Sequence, residues 1–229
     1  MNRMTLFRFD PSCRRTLFVL CALFISLGLG CKTREIGNAQ VKTQFKRKLV
    51  FSDDFNRPQL GKDWKRGYGE GGKGKWRIEQ GWVKADNIKN DPLWLTKPLP
   101  ERVRVEFDAQ ALSNQGDLKA EIFGDGKQHS SGYVAILGGW KNSLDIIARL
   151  DEHGKDRLAK RSITAKANQT YRVALERTDN TLRFYVNDKL VLAYADAKPL
   201  RGIDHRFFAF NDWTAPVRFD NLKVYELTK

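Results

Sequence analysis

From Leu49 onward, apolar and polar residues alternate in short runs broken by turn residues about every eight to twelve positions, the spacing of a β-sandwich. In Arg102-Val103-Arg104-Val105-Glu106-Phe107-Asp108-Ala109 the apolar side chains fall on one face and the charged ones on the other, as a period of two requires of a half-buried strand. Tyr171, Val173 and Leu175 repeat the device, and so do Leu182, Phe184 and Val186. Asn187-Asp188, a pair that accepts positive φ, links that last run to Leu190-Val191-Leu192 and predicts a hairpin over residues 181–195. Further strands are expected at Trp76–Glu79, Trp82–Asp86, Leu118–Phe123, Gly132–Leu137, Ser143–Arg149, Arg206–Phe210 and Val217–Glu226. With no heptad and no long amphipathic helix, the pattern predicts an all-β fold, two antiparallel sheets packed as a sandwich.

The amino end reads differently. Arg3, Arg8, Arg14 and Arg15 lead into an apolar run from Thr16 to Gly30, the charged and apolar regions of a secretory signal. The run is shorter than the ~20 residues of a comfortable membrane span. It ends Leu27-Gly28-Leu29-Gly30-Cys31, which resembles the bacterial lipobox, although the leucine stands one position further from the cysteine than in that pattern. The resemblance implies a leader over 1–31, lipidation of Cys31 and an exported protein anchored to a membrane. Lys32 in place of Asp implies the outer membrane. Residues 32–48, polar and basic, are expected to tether the lipid to a domain spanning 49–229. The three cysteines, Cys13, Cys21 and Cys31, all lie in the leader, so the domain has no disulfide, thiolate metal site or cysteine nucleophile.

The formal net charge of +14 comes largely from these terminal segments. Residues 1–31 hold four arginines against Asp10, and 32–48 hold six basic residues against Glu35, which leaves a net +6 on 49–229. A mild positive excess with both signs interspersed suits solubility and loose attraction to anionic glycans. It lacks the concentrated basic stripe of a nucleic-acid partner.

Four segments carry a family resemblance: Phe51-Ser52-Asp53-Asp54-Phe55, Ser131-Gly132-Tyr133-Val134-Ala135-Ile136, the hairpin Leu182 to Lys189, and Val217-Arg218-Phe219-Asp220-Asn221-Leu222-Lys223-Val224. Together they resemble the concanavalin A-like lectin and glucanase superfamily, closest to its 3-keto-disaccharide hydrolase-like branch. The resemblance implies a jelly-roll sandwich and a carbohydrate ligand. The family-16 glucanases of that superfamily carry a strand motif of Glu, Asp and Glu. Here Glu106-Phe107-Asp108-Ala109-Gln110-Ala111 lacks the second glutamate, so the paired carboxylates of a retaining mechanism are missing at that place. Glu106 and Asp108 read as the solvent face of an alternating strand.

Candidate chemistry lies in the loops. Gly69 to Lys75 has phosphate-loop spacing, but Trp76 stands where that loop needs Ser or Thr. Gly138-Gly139-Trp140-Lys141-Asn142 is followed by a strand ending Arg149-Leu150-Asp151-Glu152-His153-Gly154. Trp140 either offers its face to a sugar ring or plugs the end of the sandwich. Arg149 is a candidate ligand donor, and Glu152 and His153 are candidate acid–base groups or simply a polar turn. Trp94, after Asn90-Asp91, and Trp213, after Asn211-Asp212, place indoles beside amides and carboxylates, a combination that grips sugar hydroxyls, with core packing as the rival reading. His129 and His205 are isolated and read as surface or locally bonded. Ser130-Ser131-Gly132 lacks the spacing of a nucleophile elbow. Asp53, Asp54 and Asp220 would supply oxygen ligands for a structural calcium if the first and last strands pair, with turn and strand-end roles as the rival. Three functions fit: glycan binding through Trp140, Trp213 and Trp94 with Arg149, Asn211 and Asp212; glycoside cleavage through Glu152 and His153; and a purely structural or adhesive envelope role.

Overall fold

The structure is a computed structural model that describes residues 45–229. The expected leader and Cys31 lie outside the described residues, as does the tether up to residue 44. The strands in chain order are β1 (Lys46–Asp53), β2 (Trp64–Arg66), β3 (Arg77–Glu79), β4 (Trp82–Ala85), β5 (Leu93–Leu95), β6 (Val103–Ala111), β7 (Leu118–Gly124) and β8 (Tyr133–Gly138). They continue with β9 (Leu144–Arg149), β10 (Leu158–Arg161), β11 (Tyr171–Thr178), β12 (Thr181–Val186), β13 (Lys189–Ala195), β14 (Phe207–Asn211) and β15 (Val217–Thr228). One sheet has the order β13-β12-β11-β6-β15-β4-β3, with β1 also pairing along β15, and the other runs β10-β9-β8-β7-β14-β5-β2. Neighbouring strands within each sheet pair antiparallel, so the expected two-sheet sandwich is what forms.

Alternation builds the core. Val105 and Phe107 of β6, Leu175 of β11 and Phe219 of β15 face Ile122, Ala135, Ile147, Phe208 and Phe210 from the other sheet. Phe210 stacks on Phe219 at 4.4 Å and takes Phe107 edge-on at 5.2 Å, across the middle of the sandwich. Each such ring, fully buried, contributes about 1.5–3 kcal/mol of transfer free energy. At the expected hairpin, Asn187 and Asp188 adopt φ of 49° and 63°, and Val186 pairs with Lys189.

Three differences from the sequence reading have local causes. β1 begins at Lys46, inside the segment expected to be tether, because its backbone pairs with the end of β15 from Thr228 inward and needs no apolar alternation to do so. The short strands β2, β5 and β10 span too few residues for a period of two to register. Gly139–Asn142 forms a tight left-handed turn, with Trp140 and Lys141 at φ of 50° and 56°. Glu106 and Asp108 do sit on the outer face of the larger sheet, where Glu106 accepts from Arg104 and Arg47 and Asp108 from Asn221.

Candidate functional site

The outer face of the seven-stranded sheet carries the unusual chemistry. Within β7, Leu118, Ala120 and Ile122 enter the inter-sheet core, so Lys119 and Glu121 must point the other way. Register aligns Asn211, Lys119, Ile136 and Ile146 in one cross-strand row, and Trp94, Ala209, Glu121, Val134 and Ala148 in the next. A face that alternation assigns to solvent is instead covered by loops, and Lys119 is only 1% exposed.

Those loops frame a cleft of about 680 Å³ above Lys119 and Ile136. Its walls come from Glu70 and Asn90, from Gln115 and Asp117, from His129 and Ser130, from Trp140 and Lys141, from Leu150 to His153, and from Trp213 to Ala215. Lys119 Nζ pairs with Glu152 Oε2 at 2.9 Å and donates to Asn90 Oδ1 at 2.7 Å, and the Asn90 amide in turn donates to Glu70. Burial alone would push the Lys119 ammonium down, but Asp117, Glu152 and Glu121 outweigh it and hold its pKa above the ordinary lysine value. Burial likewise opposes ionisation of Glu152, and Lys119 and His129 overcome it, so its pKa is held below the usual carboxylate range. The lowered pKa favours the ionised carboxylate, whereas a proton donor for glycoside cleavage calls for a raised one.

A second network lies beside the first. Glu121, with no exposed surface, meets His129 Nδ1 at 2.7 Å, accepts the Ser130 backbone N–H at 2.9 Å and accepts the Asn211 amide at 2.6 Å. His129 Nε2 lies 3.0 Å from Ser130 Oγ and 3.7 Å from Glu152 Oε2. His129, read from the sequence as a surface or locally bonded residue, is held between two carboxylates in the cleft wall.

Asp212 is completely buried, and neither of its carboxylate oxygens accepts a hydrogen bond. Burial and the neighbouring Asp117 push its pKa well above the ordinary value, which favours the neutral acid. Asp117 accepts the backbone N–H of Trp213 at 2.7 Å, while the Trp213 carbonyl accepts from Lys89 N at 2.6 Å. The Trp213 backbone is pinned on both sides, and the residue remains 40% exposed at the cleft.

The structure brings together Trp140, Trp213, Glu152 and His153 as cleft-lining groups. Trp140 lines the cleft and is itself packed. It packs on the small apolar cluster of Val134, Ile136, Ile146 and Ala148, holds His153 perpendicular at 5.4 Å and carries the Arg157 guanidinium 4.7 Å over its ring. Asn211 and Asp212 belong to the site but lie beneath its surface, so they orient groups and do not reach a ligand.

Three expectations are corrected. Trp94 is 0% exposed, with its ring wedged against Gly124 and Gly67, where an added Cβ would come within 2.2 and 2.7 Å of it. It is a packing residue and no sugar platform. Arg149 lies outside the cleft lining because its guanidinium pairs with Asp196 at 2.9 Å, an acid that also accepts from Tyr133. Asp53, Asp54 and Asp220 do not make a calcium site. β1 and β15 do pair, but the Asp53 carboxylate is saturated by both Arg57 nitrogens, Trp64 Nε1 and the Phe55 N–H. Among the described residues no group of three or more His, Cys, Asp or Glu is placed to hold a metal ion.

No protein-family model matches the sequence, and no curated protein matches it either. Solved structures do match the fold. The carbohydrate binding module CBM66 from Bacillus subtilis superposes with a TM-score of 0.59 at 16% identity, covering 73% of this chain and 98% of its own. The laminarinase from Rhodothermus marinus gives 0.60 at 16% identity, covering 81% and 99%. A protein of unknown function with a galectin-like fold from Bacillus subtilis gives 0.56 at 11% identity, covering 81% and 100%. The chain has the concanavalin A-like jelly-roll fold. The likeness is to the architecture and does not single out the 3-keto-disaccharide hydrolase-like branch.

Proposed function

We propose that the domain binds carbohydrate in the cleft between Trp140 and Trp213, as part of an exported lipoprotein anchored through Cys31 to the outer membrane. The observation that carries the reading is the pairing of a pinned, exposed indole with buried charged and amide groups around one cleft of about 680 Å³. An indole face covers the apolar side of a sugar ring, while Glu70 and Asp117 offer acceptors to its hydroxyls. Carbohydrate-binding and glucan-degrading proteins among the fold neighbours support the same ligand class. The test is a glycan-array screen of the exported chain beside its Trp213→Ala variant. Binding that falls by about tenfold or more in the variant, the loss expected for a stacking aromatic, supports the reading. Equal binding by both proteins refutes it.

A further inference from the structure

His129 and Ser130 are consecutive, yet their side chains meet each other and a buried acid in a fixed order. Ser130 Oγ lies 3.0 Å from Nε2 of His129, and Nδ1 of the same ring lies 2.7 Å from Oε1 of Glu121. The Glu121 carboxylate is itself oriented by Asn211 and by the Ser130 backbone N–H. The Asn211 amide nitrogen also lies 3.1 Å from Nδ1, but its proton is directed to Glu121 Oε1 at 2.6 Å, and the closer carboxylate, 2.7 Å from Nδ1, assigns the ring proton to Nδ1 as a donor to Glu121. Nε2 is then the acceptor, and the Ser130 hydroxyl donates to it. Nucleophile, base and orienting acid in that sequence are the elements of a serine hydrolase triad, which geometry defines and chain order does not. Ser130 holds φ at 57°, a left-handed conformation it shares with several turn residues of this chain, and in it the hydroxyl stays within reach of His129 Nε2. Both Ser130 and His129 line the cleft.

We propose that Ser130, His129 and Glu121 hydrolyse O-acyl esters carried by the glycan that the cleft binds. The sugar half of this substrate rests on the carbohydrate reading above, whereas the nucleophile does not. Ser130 Oγ attacks the ester carbonyl carbon as its proton passes to His129 Nε2. The bond from that carbon to the sugar oxygen then breaks, and the sugar oxygen takes the proton from His129. Water, giving a proton to the same Nε2, attacks the acyl–Ser130 ester. A carboxylic acid leaves, and Ser130 Oγ recovers the proton. The imidazolium formed in each half is stabilised by Glu121 on one side and by Glu152, 3.7 Å from Nε2, on the other. Ser130 and His129 are the catalytic residues. Glu121 acts through His129 as a positioning residue.

The experiment treats the full exported chain with 4-methylumbelliferyl acetate, with O-acetylated xylan and with a biotinylated fluorophosphonate. The expected result is phosphonylation at Ser130, located by peptide mass spectrometry, and hydrolysis that falls at least about 100-fold in Ser130→Ala and in His129→Gln. Glu121→Gln lowers kcat and leaves KM in place, a split that a merely structural role for the acid does not produce. Ser130→Ala and wild-type chains that melt at the same temperature and cleave both esters at the same rate overturn the proposal. Ser130-dependent cleavage of the methylumbelliferyl ester without glycan binding removes the sugar half and keeps the nucleophile. Glycan binding with no Ser130-dependent cleavage removes the nucleophile and keeps the carbohydrate reading.

Discussion

Replacing Lys119 by Met is the perturbation that most directly tests how the cleft floor is held. The ammonium is 1% exposed, pairs with Glu152 at 2.9 Å, donates to Asn90 and compensates Asp117 and Glu121 as well. Methionine keeps much of the volume and removes the charge, so the loss is electrostatic and not a cavity. Removing one partner of a buried pair costs about 3–5 kcal/mol, because the remaining charge stays buried and unpaired. Glu152 retains a little contact with solvent, which places the expected cost near the lower end, about 3 kcal/mol. For a domain of this size, about 1 kcal/mol moves Tm by roughly 2–4 °C, so Lys119→Met should melt about 6–12 °C lower near neutral pH. The sign with pH follows from Glu152. Its folded pKa is depressed below 4.5, so its stabilising contribution is present above that value and is lost as pH falls through the folded pKa. In Lys119→Met the depression disappears, and burial favours the protonated acid. The gap between variant and wild type must therefore narrow as pH is lowered from about 7 toward about 4. Glu152→Gln leaves Lys119 with Asp117, Glu121 and Asn90 and should cost less, about 1–2 kcal/mol. The double variant should fall short of the sum by about 1–3 kcal/mol, since the two groups share one interaction. Urea unfolding of the four proteins at three pH values, with thermal melts near neutral pH, supplies every quantity. A Lys119→Met cost below about 1 kcal/mol, or strict additivity in the double variant, refutes a charge-compensated floor.

Asp212→Asn should stabilise the domain at alkaline pH. The raised folded pKa means that the contribution of Asp212 is fully present below its unfolded value of 3.8 and is lost as pH rises through the folded value, whereas an amide stays neutral at any pH. A urea midpoint higher than wild type at about pH 8 and indistinguishable at about pH 4 is expected, and a midpoint lowered at both would sink the assignment of a neutral Asp212. Gly124→Ala should destabilise by about 1–3 kcal/mol or more, because its Cβ would meet Trp94 at 2.2 Å within a filled wedge, and a thermal melt equal to wild type would contradict that packing. Calcium added to chelator-treated protein should leave Tm within about 1 °C, because the Asp53 oxygens are already occupied by Arg57, Trp64 and Phe55, while a shift several times larger would restore the metal reading.

The elements that alternation made legible are those with one wet face. β6, β11 and β12 keep charged residues outward and apolar residues inward, and a period of two finds them directly. The same rule concealed the site. Applied to β7, it puts Lys119 and Glu121 on the face opposite Leu118, Ala120 and Ile122, and for an ordinary sandwich that means solvent. Their burial depends on loops around Glu70 and Asn90 and on residues 125–131, 150–154 and 212–215, whose meeting over β7 is a property of strand order. Indole environment was equally unreadable from neighbours in sequence. Trp94 and Trp213 both follow an amide and a carboxylate, yet one ring fills a slot left by Gly67 and Gly124 while the other is tied by Asp117 and Lys89 at the mouth of the cleft.

One local signal did bear on the site. A strand that spends two of its outward positions on a lysine and a glutamate, followed within ten residues by His129-Ser130, places a base and a hydroxyl within reach of an acid on the same face. The elbow test rejected Ser130 because it looks for a strained serine between glycines at a strand–helix turn. Here the strain sits in a loop between two strands, and the orienting acid lies eight residues before the histidine on the adjoining strand. The same Glu121 that fixes the imidazole also accepts the Ser130 backbone amide, so the conformation that strains the serine is the one that presents its hydroxyl to Nε2. Fold and chemistry therefore meet in one residue: the outward register of β7 determines where the acid stands, and the acid determines how the loop above it must turn.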